Sequence, residues 1–194
     1  MDTQVALVVL AAVAVLAVAA VVFVLVNARK KRTAHLKERF GPEYDHTVAA
    51  QGGSRKAEAR LEEREKRVEK LNIKPVPPEL RDRFENSWRN VQAHFVDEPG
   101  AAVVEADGLV RKVMESRGYP LGTFEQRADD VSVDHPQLMK NYRAAHEIAL
   151  KKDRGEASTE ELRQAFVHYR ALFEELLEVQ GVQHVPELLE VKRG

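Results

Sequence analysis

Cysteine is absent from all 194 residues, so no disulfide framework argues for an oxidising compartment. Strand-like alternation of apolar and polar residues is missing too, which leaves an all-α chain. The chain has no Gly-rich phosphate loop, no G-x-S-x-G elbow, no HExxH and no Cys/His zinc spacing. A tetratricopeptide-type array is excluded because its ~34-residue period does not recur. Charge itself is lacking over one long stretch. Val5 to Val26 contains no charged residue and no hydroxyl.

That stretch is long enough to cross the hydrocarbon core of a bilayer, ~30 Å at 1.5 Å per helical residue. Arg29, Lys30, Lys31 and Arg32 follow it, whereas only Asp2 and the amino terminus precede it. Lys and Arg are retained on the cytoplasmic side. The expectation is a single-pass anchor in the cell (inner) membrane, amino terminus outside and the rest of the chain cytoplasmic. A cleaved signal peptide is the rival, with Ala17-Val18-Ala19 as its cleavage pattern, and it predicts a secreted helical protein. Against it, Met1–Gln4 carries no basic residue and the apolar run outlasts a signal peptide's ~7–15 residues. The run has no ionisable group, which transporters and proton relays need, and no glycine for a GxxxG face. A simple tether is the reading.

The near-zero net charge hides an asymmetry. Residues 27–39 carry net +5, and residues 40–194 carry net −5. The collar Arg29–Arg32 suits anionic lipid headgroups, at ~1 kcal/mol per basic residue near the surface. It lacks interleaved aromatics, and the acidic body repels phosphates, so no nucleic-acid partner is expected.

Four segments follow from this pattern: an anchor at 1–27, a basic juxtamembrane segment with a charged spacer helix at 28–78, a small irregular helical bundle at 79–180, and a tail at 181–194. Residues 33–40 continue the first helix until Gly41-Pro42 interrupts it. Arg55–Leu71 reads as a solvated spacer helix with one thin stripe: Ala57, Leu61, Arg64, Val68 and Leu71. Glu62–Lys66 and Glu63–Arg67 are spaced as i,i+4 pairs. Packing along a partner as a coiled coil is the second reading for this helix, which spans barely two heptads. Residues 72–78 read as a stiff, extended connector.

The bundle shows a clear helical period. Leu80, Phe84, Trp88, Val91 and Phe95 form one face, with Pro78 at a first helical position. Asp97 is the expected cap of the next helix, whose buried face is Ala102, Val103, Ala106, Leu109, Val110, Val113 and Met114. Arg117-Gly118-Tyr119-Pro120 stops it. A short helix is expected at 123–130 and another at 137–152, with Leu138, Tyr142, Ala145 and Ala149 inward. Ser158 and Glu161 form a capping box before the strongest stripe: Leu162, Ala165, Phe166, Tyr169, Leu172, Phe173, Leu176 and Leu177.

The densest polar cluster lies at 127–147. Arg127, Asp130, Asp134, His135, Tyr142, Arg143 and His146 are the candidate ligand-binding set, because a carboxylate beside a histidine can do acid–base work when both line a pocket. The blander reading makes Asp134 a helix cap and the rest ion pairs. Only Glu43-Tyr44-Asp45-His46 has di-iron spacing, so no metal and no cofactor are expected.

Leu36-Lys37-Glu38-Arg39-Phe40-Gly41-Pro42-Glu43-Tyr44-Asp45, Val68-Glu69-Lys70-Leu71 and Val133-Asp134-His135-Pro136 with Tyr142, Arg143 and His146 together resemble an uncharacterised family of bacterial small single-pass membrane-anchored proteins. The resemblance covers nearly the whole chain. It implies a bacterial cytoplasmic membrane protein and carries no activity. The functional expectation is a non-enzymatic adaptor or interaction module, bound to a cytoplasmic protein or to itself. The alternative is a tethered small-ligand or enzymatic domain with its pocket at 127–147.

Overall fold

A computed structural model describes residues 3–178. The tail expected at 181–194 lies outside the described residues. Every regular element among those described is helical, so the all-α class holds. The helices are α1 (Thr3–Phe40), α2 (Pro42–Gln51), α3 (Ser54–Val68), α4 (Pro78–Asp97), α5 (Pro99–Arg117), α6 (Phe124–Val131), a 3-10 turn (Pro136–Leu138), α7 (Met139–Asp153) and α8 (Thr159–Glu178). The chain divides into two compact units, and the division falls between Glu63 and Arg64, inside α3.

In the first unit, α1 runs without a break from the apolar stretch through residue 40, as the sequence predicts. Gly41, at φ 46°, turns the chain into α2, a helix the sequence pattern did not announce. Pro42 is tolerated there because the first helical N–H needs no partner. Leu36, Phe40, Tyr44, Ala57 and Leu61 are buried. Glu58 organises this unit: its Oε1 accepts from Thr33 Oγ1 at 2.8 Å and from the Tyr44 hydroxyl at 3.0 Å. Arg32 pairs with Glu58 and Glu62.

The solvated-spacer expectation for α3 is therefore corrected. Ala57, Leu61, Arg64 and Val68 are all buried. The thin stripe is wide enough because the helix's own charges are drawn into partnerships along its length. Glu62 pairs with Arg32, Glu63 with Arg60, and Arg67 with Asp130, so the expected Glu63–Arg67 pair is not how those groups are used.

The second unit is built on α5. Helix α5 packs on α4 and α8, and α8 packs in turn on α7. All seven residues expected on the inner face of α5 are buried, as are all eight of α8. Trp88 joins this core, stacked on Phe173 at 4.6 Å between ring centres and tilted against Phe166 at 5.1 Å. Met139 and Ile148 join the expected Tyr142 and Ala145 on α7.

The stop after α5 works as its residues predict. Gly118 takes φ 99°, and the Tyr119 amide reaches back to Met114 O at 3.0 Å. A Cβ at Gly118 would also lie 2.7 Å from Asn72 O. The connector at 72–77 carries no regular structure and is docked: the Lys74 amide donates to Arg117 O at 2.8 Å and Val76 is buried. The Ser158–Glu161 box forms reciprocally, at 2.9 and 3.2 Å.

Two capping expectations fail. Asp97 does not cap α5, because a single residue, Glu98, separates α4 from α5 and Asp97 still belongs to α4. Asp134 does not start the following helix: His135 occupies the position before the turn, which has no side-chain cap.

Candidate functional site

The first candidate surface is the apolar half of α1. From Ala12 onward the helix is long and apolar enough to cross a membrane. Residues 12–26 are exposed on every side, with Phe23 at 70 % and Leu16 at 69 %. An isolated buried Leu or Phe gains ~1.5–3 kcal/mol from leaving water. A helix that forgoes this along its whole circumference offers its surface to an apolar environment outside the chain. Beyond it, Arg29, Lys30 and Lys31 are exposed. Arg32 differs from the rest of the collar because its guanidinium is committed to Glu58 and Glu62.

The second candidate is the polar set at 127–147. The structure distributes it over three settings instead of one pocket. In the first, Arg127 donates from Nη1 to Gly122 O at 2.6 Å and approaches the Tyr142 hydroxyl with Nε at 3.5 Å. The Tyr142 ring packs on Phe124, and His146 lies flat on Phe124 with ring centres 3.6 Å apart. Thr123 caps α6 and so fixes Phe124 and Arg127 on their turn. Arg143 is half-buried on α7.

In the second setting, Asp130 faces α3 and not α7. Its Oδ1 takes Arg67 Nε at 2.7 Å and Nη2 at 2.6 Å, and the carboxylate is 1 % exposed. Burial pushes its carboxyl up, and Arg67 opposes that shift. Beside it, Arg64 Nη2 meets Asp129 Oδ1 at 2.5 Å and Nη1 lies 3.5 Å from Ser132 Oγ. This buried clasp of two arginines and two aspartates was missed by the sequence reading. Its signal was the pairing of an apolar stripe with Arg64 on it.

In the third setting, the Tyr119 hydroxyl donates to Asp134 Oδ2 at 2.6 Å, and His135 Nδ1 lies 3.2 Å from Glu175 Oε1. Burial holds the imidazole below its ordinary range, and the neighbouring Arg117 adds to the effect. Burial, with Asp134 next, pushes the Tyr119 hydroxyl far up, so it remains a donor.

A further polar group joins the first setting from elsewhere in the chain. Tyr169 is fully buried, edge-on to Tyr142 at 6.2 Å. Asp107, paired to Arg111 at 3.1 Å, helps burial to keep the Tyr169 hydroxyl protonated. Asp107 Oδ1 and the Tyr169 hydroxyl oxygen are enclosed, with essentially no accessible surface. Among the described residues no group of three or more His, Asp or Glu side chains is placed to hold a metal ion. No family model, no curated protein and no solved structure matches the chain.

Proposed function

We propose that this is a single-pass membrane-anchored helical protein whose bundle serves as a non-enzymatic interaction module at the inner face of the membrane, amino terminus outside. The observation that carries the reading is the α1 stretch at 12–26, exposed all round, followed on one side only by Arg29, Lys30 and Lys31. Anionic headgroups are the partners those three residues favour. Tethering raises the effective concentration of whatever the bundle binds, a cytosolic protein or a second copy. The scatter of the 127–147 set over three separate settings speaks for a module and against a single catalytic pocket. The resemblance to bacterial anchored proteins agrees with this placement.

Topology tests it directly. The chain has no cysteine, so Thr3→Cys and, separately, Lys140→Cys give single labelling sites. Intact cells or spheroplasts are treated with a membrane-impermeant thiol reagent. Labelling at position 3 alone supports the reading. Labelling at position 140, or loss of the first residues from the mature protein's mass, means an inverted or cleaved anchor and sinks it.

A further inference from the structure

Four segments meet at one end of the bundle. Arg117, at the end of α5, donates from Nη1 to Leu176 O in the last turn of α8 at 2.9 Å. The Arg117 carbonyl accepts the Lys74 amide and so holds the connector. His135, on the turn after α6, reaches Glu175 of α8 through Nδ1 at 3.2 Å. His135 Nε2 and Arg117 Nε are both enclosed and meet no hydrogen-bond partner among the described residues. The charged groups facing the imidazole are Arg117 from α5, Asp134 from its own turn and Glu175 from α8.

The neutral ring suits this place. Nδ1–H donates to the Glu175 carboxylate, and Nε2 carries only a lone pair. The charged ring does not suit it. Protonation puts an N–H at Nε2 where no acceptor stands, and it sets a second cation near the Arg117 guanidinium. Glu175 compensates in part, but its side chain is 47 % exposed and water screens it.

We propose that His135 is a proton-controlled latch: when its ring takes up a proton, the last turn of α8 and the connector at 72–76 come away from the end of the bundle. The sign follows from the burial. The folded protein favours the neutral ring, so the latch is closed above the ordinary histidine range and loosens as pH falls through and below it.

Hydrogen exchange on the full chain in detergent micelles, at about pH 7.5 and about pH 5.5 with intrinsic rates corrected, tests it. For a ring ordinarily titrating at ~6.5, residues 73–76 and the last turn of α8 lose up to about tenfold in protection at the lower pH. The inner face of α5 keeps its protection. In His135→Gln the loss disappears, because the amide does not titrate. Glu175→Gln is the second variant and decides the matter even if His135→Gln does not fold. Its amide oxygen still accepts from the neutral ring, but the imidazolium loses its counter-charge, so the acid-induced loss is at least as large as in the unmodified chain. Unchanged protection in the unmodified chain, an equal loss across the whole bundle, a full loss retained in His135→Gln, or a smaller loss in Glu175→Gln each overturns the latch.

Discussion

Helix α8 and the first half of α1 are both rich in apolar residues, yet they end in opposite environments. In α8 the apolar residues return every three or four positions, and all eight of them are buried. From Val5 to Val26 of α1 they occupy every position, and those from Ala12 to Val26 are all exposed. The amount of apolar surface decides whether a helix needs a partner. Its arrangement decides which one. A stripe can be covered by two neighbouring helices, whereas a continuous apolar cylinder of this length is one that could cross a membrane.

The sharpest way to break this comparison is to truncate one phenylalanine in each helix. Phe173 is 2 % exposed and stacked on Trp88. Phe173→Ala should lower the unfolding free energy by about 3–5 kcal/mol, read by urea titration of Trp88 fluorescence. Phe23→Ala, at a side chain 70 % exposed, should leave that transition where it is. Equal losses would mean that residues 12–26 belong to a protein core after all.

The same contrast between enclosed and open surface applies to charge. Asp130 is buried against Arg67, whereas Glu160 and Arg163 pair in the open on α8. Asp130→Ala strands the Arg67 guanidinium and should cost about 3 kcal/mol, a loss that Arg67→Ala in the same chain partly offsets. Arg163→Ala should not move the transition detectably, since water already screens the pair. Ser158→Ala, which removes the cap of α8, should cost about 1 kcal/mol. A loss near that of Asp130→Ala would show that α8 depends on its start as much as on its buried stripe.

Legibility followed physical range. Residues 99–118 and 158–177 were readable because period, capping box and glycine stop act within a few residues of one another. Helix α2 was not, because Tyr44 is held by Glu58, fourteen residues along. The 127–147 set was visible as a cluster of residue types, but their proximity in sequence did not place them together. Asp129, Asp130 and Asp134 sit on short elements whose side chains leave in different directions, towards Arg64, Arg67 and Tyr119.

The sequence by itself determined the all-α class, the anchor-like stretch with its one-sided basic collar, and the inner faces of α5 and α8. Local hydropathy and backbone propensity are enough for these, because each is a property of neighbouring residues. Only the tertiary structure decided that α3 is packed and not solvated, that Arg32 turns inward to Glu58 and Glu62, and that His135 meets Glu175 forty residues away. Ion pairs between distant segments depend on how the helices come together in space. The hydrophobic pattern brings the helices together, and the positions of the charges on them then determine which ones meet.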